Sequence, residues 1–343
     1  MLKDIEFFLP KNAKMSAIGE KIQNYPSRIK FVENPSILLI LTAVNSDGLV
    51  LKYIPHEKRP EFVKLAAVKQ HGYAIQFINN PSQTVCLEAV KSKGHAIQFI
   101  KNPAHEICEQ AINTRSDSIF LIPTEYITLK LCETAIKKNP NIVEKVTSKF
   151  NLTNDDISRL QMLAINIDPL SIKYINNQTS DLCIYAITQC AQTISLIVNP
   201  TKDMVIQAVS KNPLVYNKIH PQYIDDDINN ILLDISGYFL RLIPNPTREM
   251  FFKAIKSTPL IIYNMPSLTE DMYIEAIKND PRAILKTPYI SNKMTYEMVN
   301  AMNLPYMAKL NECTRKHLLR KIKEVDENIF EALIHNDILR VVV

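Results

Sequence analysis

Apolar and polar positions recur along this chain with a period of 22 residues. An alanine followed by a β-branched residue marks the register. The pairs are Ala43-Val44, Ala67-Val68, Ala89-Val90, Ala111-Ile112, Ala135-Ile136, Ala164-Ile165, Ala186-Ile187, Ala208-Val209, Ala254-Ile255 and Ala276-Ile277, with Leu232-Leu233 in the slot where the alanine is missing. Ala301-Met302 and Ala332-Leu333 are weaker members at the end. Most steps are 22 residues, a few are 24, and the step from Ala135 to Ala164 is longer. A fixed period in this range signals a solenoid or array.

With the marker alanine as slot zero, slot −4 holds Val63, Val85, Ile107, Leu131, Leu160, Leu182, Met204, Ile228, Met250 and Met272. Apolar residues at −4, 0 and +1 share one face of an α-helix. The spacing predicts a helix of about ten residues, ended at slot +5 by Gly48, Gly72, Gly94, Pro140, Pro169, Pro213, Gly237, Pro259 or Pro281. Glycine is expected there as a left-handed cap and proline as a residue unable to continue the ladder. Slots +8 and +11 are apolar again (Ile75 and Ile78, Ile97 and Ile100, Ile119 and Ile122, Ile172 and Ile175, Ile194 and Ile197). They predict a second, short helix, part α and part 3₁₀. Asn80-Pro81, Asn102-Pro103, Asn199-Pro200 and Asn245-Pro246 end it. Ser82, Thr179, Thr201, Thr247 and Thr269 follow as expected caps of the next first helix, four of them with an acid two residues on to oppose the helix dipole.

Such short helix pairs cannot bury their apolar faces alone, but stacked neighbours can. The expected fold is all-α, an α-solenoid of about twelve short helix-turn-helix repeats. Residues 1–36 are expected as an N-terminal cap, 37–146 as the first part of the array and 147–160 as an insertion. Residues 161–304 then form its second part and 305–343 a C-terminal helical cap. The 343 residues need no single central core, because a solenoid grows by addition.

Composition narrows the function classes. A net charge of +5, from 40 basic and 35 acidic residues, does not by itself demand an anionic partner. The opening Met1-Leu2-Lys3-Asp4-Ile5-Glu6 carries charge where a secretory leader needs apolar residues. The apolar run Ile37 to Leu41 is far short of the roughly 18 residues of a membrane span. An intracellular or virion protein, neither secreted nor membrane-spanning, is therefore expected.

Candidate chemistry is mostly absorbed by the register. Cys86, Cys108, Cys132 and Cys183 all fall at slot −3, where a free thiol packs as a small apolar group. No CxxC pair, phosphate-cradling glycine loop, nucleophile elbow or zinc helix motif is present. Neither a catalytic residue nor a cofactor or metal is assigned. Asp225-Asp226-Asp227 reads as a helix cap. His95 replaces Tyr73 as a repeat variant, and Tyr73, Phe77, Phe99, Phe120, Tyr174, Tyr216 and Phe239 read as packing between repeats. Lysines at slot +2, Lys69, Lys91, Lys137, Lys256 and Lys278, are the candidate contacts to nucleic acid or another partner. Equal slots form a row along one edge, one charge per repeat. Asn166, Thr188 and Ser210 interrupt that row, and a lysine in the last turn also complements the helix dipole.

The run Ala67-Val68-Lys69-Gln70-His71-Gly72-Tyr73-Ala74-Ile75, echoed by Ala89-Val90-Lys91-Ser92-Lys93-Gly94-His95-Ala96-Ile97, resembles a short helical repeat family of unknown function found in large DNA viruses, bacteriophages and some microbes. The resemblance covers residues 61–112 and implies a viral or phage origin and a helical array. It carries over no catalytic residue. The expected function is a non-enzymatic scaffold presenting an extended surface to a protein partner, either a host factor or a virion component. The alternative is a nucleic-acid-binding solenoid that uses the lysine row.

Overall fold

The computed structural model describes residues 11–265 and 268–289, with single positions from 291 to 327. The chain divides into two compact units, Met1–Leu182 and Cys183–Val343. Both are all-α, with no strand among the described residues, and both are stacks of helix pairs: the fold is an α-solenoid. The first unit contains α1 (Lys11–Asn24), α2 (Ile37–Ser46), α3 (Glu61–Gln70), α4 (Gln83–Ser92), α5 (His105–Thr114), α6 (Leu129–Lys138), α7 (Val143–Lys149) and α8 (Asn154–Ile167). Helix α9 (Ser180–Gln189) spans the division, and the second unit continues with α10 (Lys202–Lys211), α11 (Asp226–Ile235), α12 (Arg248–Ser257) and α13 (Glu270–Asn279).

The marker slot and the one after it are fully buried in every described repeat from Ala43-Val44 to Ala276-Ile277, and slot −4 is buried in each from Val63 to Met272. Each Val, Ile, Leu or Met side chain fully taken out of water contributes about 1.5–3 kcal/mol, which is where the array gets its cohesion. The caps behave as their sequence predicts at Ser82, Thr201 and Thr247, which accept from the backbone N–H of Val85, Met204 and Met250. Thr179 reaches Leu182 at 3.5 Å. Thr269 makes no such bond. Further caps form at Ser36, Thr128 and Asp225, and Thr153 with Asp156 builds a reciprocal capping box at α8.

The second helix differs from expectation. In most repeats it is a six-residue 3₁₀ helix with no α part, as at Gly72–Phe77, Gly94–Phe99, Pro169–Tyr174 and Pro213–Lys218. The cause is the spacing of its core residues. Slots +8 and +11 lie three apart, and only a helix of three residues per turn sets them directly above one another. The Ile78 N–H donates to the Ile75 carbonyl at 2.9 Å, and the Ile100 N–H to Ile97 at 3.0 Å.

The stop also lies one residue earlier than slot +5. Slot +4 leaves the helix in an extended conformation, with His71 at φ −147° and Asp168 at φ −139°. Its N–H still donates to the marker carbonyl, His71 to Ala67 and Lys93 to Ala89, both at 2.9 Å. Slot +5 then opens the 3₁₀ helix. No described glycine has positive φ; the left-handed positions are Asn34, Asn80 and Asn245, each before a proline in the turn between repeats. Asparagine tolerates that region because its short polar side chain bonds locally.

Glycine at slot +5 serves proximity instead. A Cβ on Gly94 would fall 2.6 Å from the carbonyl oxygen of Ala111, the marker of the next repeat, and Cβ atoms on Gly48, Gly72 and Gly237 would lie closer still to Ala67, Ala89 and Ala254. The backbone N–H groups of Gly48, Gly72 and Gly237 donate to the side chains of Gln70, Ser92 and Thr258 in that repeat. Proline repeats make no such bond from slot +5. Proline has no N–H to satisfy, and the preceding Asn139, Asp168, Asn212 or Asp280 accepts from the backbone N–H two residues on.

Each 24-residue step carries an added three-residue 3₁₀ turn: His56–Lys58, Thr124–Tyr126 and Pro221–Tyr223. These turns reach back one repeat, Lys58 to Asn34, Tyr126 to Asn102 and Tyr223 to the Val198 carbonyl. The long step from Ala135 to Ala164 shortens its 3₁₀ helix to Pro140–Ile142 and adds α7. The expected insertion, 147–160, holds the end of α7 and the first turns of the fourteen-residue α8. In the expected N-terminal cap, residues 11–31 form another pair, α1 and a 3₁₀ helix at Pro26–Phe31. There the Tyr25 N–H donates to the carbonyl of Lys21, which stands in the marker slot. Met302, Ala332-Leu333 and nearly all of 305–343 lie outside the described residues.

Gly72→Ala should therefore lower stability by about 1–3 kcal/mol, because neither the Ala89 carbonyl nor the Lys93 backbone can yield cheaply. Gly19→Ala, in α1 with nothing within 4 Å of its Cβ, should leave stability unchanged or raise it by about 0.5–1 kcal/mol. Urea unfolding of both variants checks this, and equal losses would contradict the close approach at Gly72.

Candidate functional site

The slot +2 lysines sit in the last turns of their helices and are all exposed. Lys69, Lys91 and Lys137 lie on α3, α4 and α6 in the first unit, and Lys256 and Lys278 on α12 and α13 in the second. Lys69 and Lys91 are on consecutive repeats, as are Lys256 and Lys278, while Asn113 separates Lys91 from Lys137. Lys91 pairs with Glu88 at 3.0 Å and Lys278 with Glu297 at 3.7 Å. Lys69, Lys137 and Lys256 form no ion pair with a described residue, so their charge faces solvent.

The cysteines are core residues. Cys86, Cys108, Cys132 and Cys183 are buried thiols. Burial pushes the Cys86 and Cys183 thiols up, and those of Cys108 and Cys132 to about 11. They are thus protonated near neutral pH and poor nucleophiles. Asp225 caps α11 at the Ile228 N–H and, with Asp227, holds the Lys202 ammonium of the preceding repeat. The Lys202 bond outweighs the small cost of burial and lowers the Asp225 carboxyl below the usual carboxylate range. Tyr216 is buried and its hydroxyl donates to Asn229 Oδ1 at 2.7 Å. Tyr73 packs edge-on against Phe99 of the next repeat at 5.9 Å. Phe99 and Tyr174, by contrast, are more than a third exposed.

One polar constellation escapes a reading by single residues. His95 and Asp117 both occupy slot +6, one repeat apart, and the His95 Nε2–H donates to Asp117 Oδ1 at 2.8 Å. Arg115, two residues before Asp117, donates from Nε to Oδ1 at 3.2 Å and from Nη2 to Oδ2 at 3.1 Å. Partial burial pushes the Asp117 carboxyl up, but the hydrogen bonds and charges of Arg115 and His95 prevail and hold it below the usual range. Lys138, Lys145, Phe120 and Ile142 line a cleft of about 920 Å³ with this trio. Asp117 is the one acid among its lining residues. The signal in the sequence is the register itself: slot +6 carries complementary groups in two consecutive repeats. A second recess, of about 570 Å³, lies in the other unit and is lined by Tyr238, Leu240, Ile243, Phe251, Met265 and Arg241.

Residues 37–81 match the model of a domain of unknown function, DUF4116, and this stretch is two consecutive helix pairs, from α2 to the turn after the 3₁₀ helix Gly72–Phe77. No curated protein and no solved structure matches the chain. No helix among the described residues is long and apolar enough to cross a membrane.

The thiol environment makes a direct prediction. Iodoacetamide at pH 8 should label Cys108 and Cys132 only after unfolding. Their folded values of about 11 exceed the ordinary 9.0. The unfolded chain therefore loses these protons first, and stability is complete below pH 9 and falls as pH rises toward 11. Rapid labelling of the native protein at pH 8 would contradict the burial.

Proposed function

We propose that this chain is a non-enzymatic helical-repeat scaffold of viral or phage origin. It acts in the host cytoplasm or the virion by presenting an extended surface to a protein partner, a host factor or a virion component. The observation that carries this reading is the repeated exposure of large apolar side chains at one slot. Leu214 and Tyr238 occupy slot +6 of consecutive repeats and are 59% and 47% exposed. A lone exposed apolar residue is ordinary, but two at equal slots of consecutive repeats, one of them lining a recess, provide anchoring positions for a partner. The recess next to Tyr238 has the mixture of aliphatic and aromatic lining with one arginine that suits such an anchor. The resemblance of residues 61–112 to viral and phage repeat proteins supports the proposed origin.

Affinity capture from cells producing the wild-type chain and a Leu214→Glu, Tyr238→Glu double variant tests the reading. The expected result is a partner retained by the first and depleted by roughly tenfold or more with the second. A partner held equally by both, or a turnover activity lost on one polar substitution, would overturn it.

A second reading, nucleic-acid binding along the slot +2 lysines, is favoured by the solvent-facing charges of Lys69, Lys137 and Lys256. It predicts binding of a DNA duplex that weakens steeply with salt and is lost on reversing Lys69, Lys91, Lys137, Lys256 and Lys278 to Glu. Salt-independent binding, or none, would end it.

A further inference from the structure

The cleft in the first unit exists because the array is irregular there. In neighbouring repeats, six-residue 3₁₀ helices follow one another at Gly72–Phe77, Gly94–Phe99 and Ser116–Leu121. After Ala135 the 3₁₀ helix stops at Ile142 and α7 takes over. The next wall is therefore built from Asn139, Ile142 and Lys145 instead of another slot +6 side chain. Its partner wall carries His95, Arg115 and Asp117, and Lys138 projects from the end of α6.

The charges of this cleft are unbalanced. Both carboxylate oxygens of Asp117 are already engaged by Arg115 and His95. That carboxylate therefore orients the Arg115 guanidinium and leaves its Nη1 donors free. The Arg115 side chain remains 58% exposed. Lys138 and Lys145 are exposed and form no ion pair with a described residue. Three permanent cations thus converge over a floor that includes Phe120, Leu121 and Ile142. A guanidinium held in place by a carboxylate is pre-organised for a second, planar anion. Apolar lining beside it favours an anion that carries hydrophobic groups.

We propose that this cleft binds an acidic, extended peptide segment of a protein partner, with its carboxylates on Arg115, Lys138 and Lys145 and an apolar side chain against Phe120 and Ile142. The inference rests on the protein-binding reading above and names the chemistry of one partner segment. Charge complementarity selects the occupant, and the aromatic geometry favours peptide over nucleic acid. Phe120 stacks on Phe150 with ring centroids 6.3 Å apart and planes at 12°, and Lys149 lies over both rings at 5.5 and 5.7 Å. Phe150 and Lys149 thus occupy part of the Phe120 ring surface on which a base would stack. The cations also come from three separate elements, not from a cradle of backbone N–H groups of the kind that receives phosphate.

The experiment is fluorescence anisotropy at low salt with a labelled, end-capped peptide rich in Glu and Leu, its Gln counterpart, and single-stranded oligodeoxythymidine as competitor. The wild-type chain should bind the Glu peptide roughly tenfold or more tightly than the Gln peptide, with the preference shrinking as salt rises. An Arg115→Glu, Lys138→Glu, Lys145→Glu variant should lose that binding while retaining the wild-type melting curve. Should the triple variant unfold, Lys145→Glu alone, at an exposed helix position, should weaken binding several-fold. Equal binding by wild type and variants, no preference for Glu over Gln, absence of binding, or displacement by the oligonucleotide would overturn the proposal. The cellular capture separates the two readings. A partner retained by the charge-reversed chain but lost by the Leu214→Glu, Tyr238→Glu variant leaves the scaffold standing without this cleft.

Discussion

Everything in this fold depends on how closely the carbonyl of one repeat's marker alanine approaches the backbone of the repeat before it. That carbonyl accepts the last helical N–H, from slot +4. In the glycine repeats it also lies where a Cβ at slot +5 of the preceding repeat would have to be. Two small groups at the contact allow the helices to close on a core of Val, Ile, Leu and Met, and interiors packed to this density respond to even one methylene. Where slot +5 is proline, the junction loses a donor, and at Pro140, Pro169, Pro213 and Pro281 an Asn or Asp just ahead closes the turn on itself. Glycine and proline are thus two answers to one problem: the first residue of a 3₁₀ helix set against a neighbouring helix.

Variation in the period becomes variation in the surface. Two extra residues make a three-residue turn that hooks back onto the preceding repeat. Seven extra residues replace part of a 3₁₀ helix with α7 and open the basic cleft. The core slots run through both changes undisturbed, with Ala135, Ile136, Ala164 and Ile165 all fully buried. A solenoid can change its outer edge without refolding, because each repeat answers only to its neighbours. Charged side chains follow the same logic: Lys202 with Asp225, Arg248 with Asp271 and His95 with Asp117 each join adjacent repeats. Pairs as exposed as these add little to stability, so their effect lies in register and surface charge.

The period alone determined a good deal. The ten-residue helices, the buried marker pair, the stripe at −4, most of the caps and the core role of the slot −3 cysteines all follow from residue type at a fixed slot. These features depend on a residue and its near neighbours in sequence, so one repeat read against the next suffices. The first pair, residues 11–31, was hidden because Lys21 stands in the marker slot. A terminal repeat has no described neighbour on its outer side to demand alanine there.

Only the tertiary structure decided the rest, and the reason is distance. The 3₁₀ geometry of the second helix, the extended slot +4 and the role of glycine depend on what the adjacent repeat places a few ångströms away. The left-handed positions expected of glycine belong to Asn34, Asn80 and Asn245. Two of the five slot +2 lysines, Lys91 and Lys278, are paired with acids, which their shared slot does not show. His95, Arg115 and Asp117 are unremarkable one by one; stacking brings them together. The sequence by itself determined which faces are buried and how often the unit recurs, because burial follows from pattern. Which polar groups meet across the junctions follows from packing, and the pattern of a single repeat does not contain it.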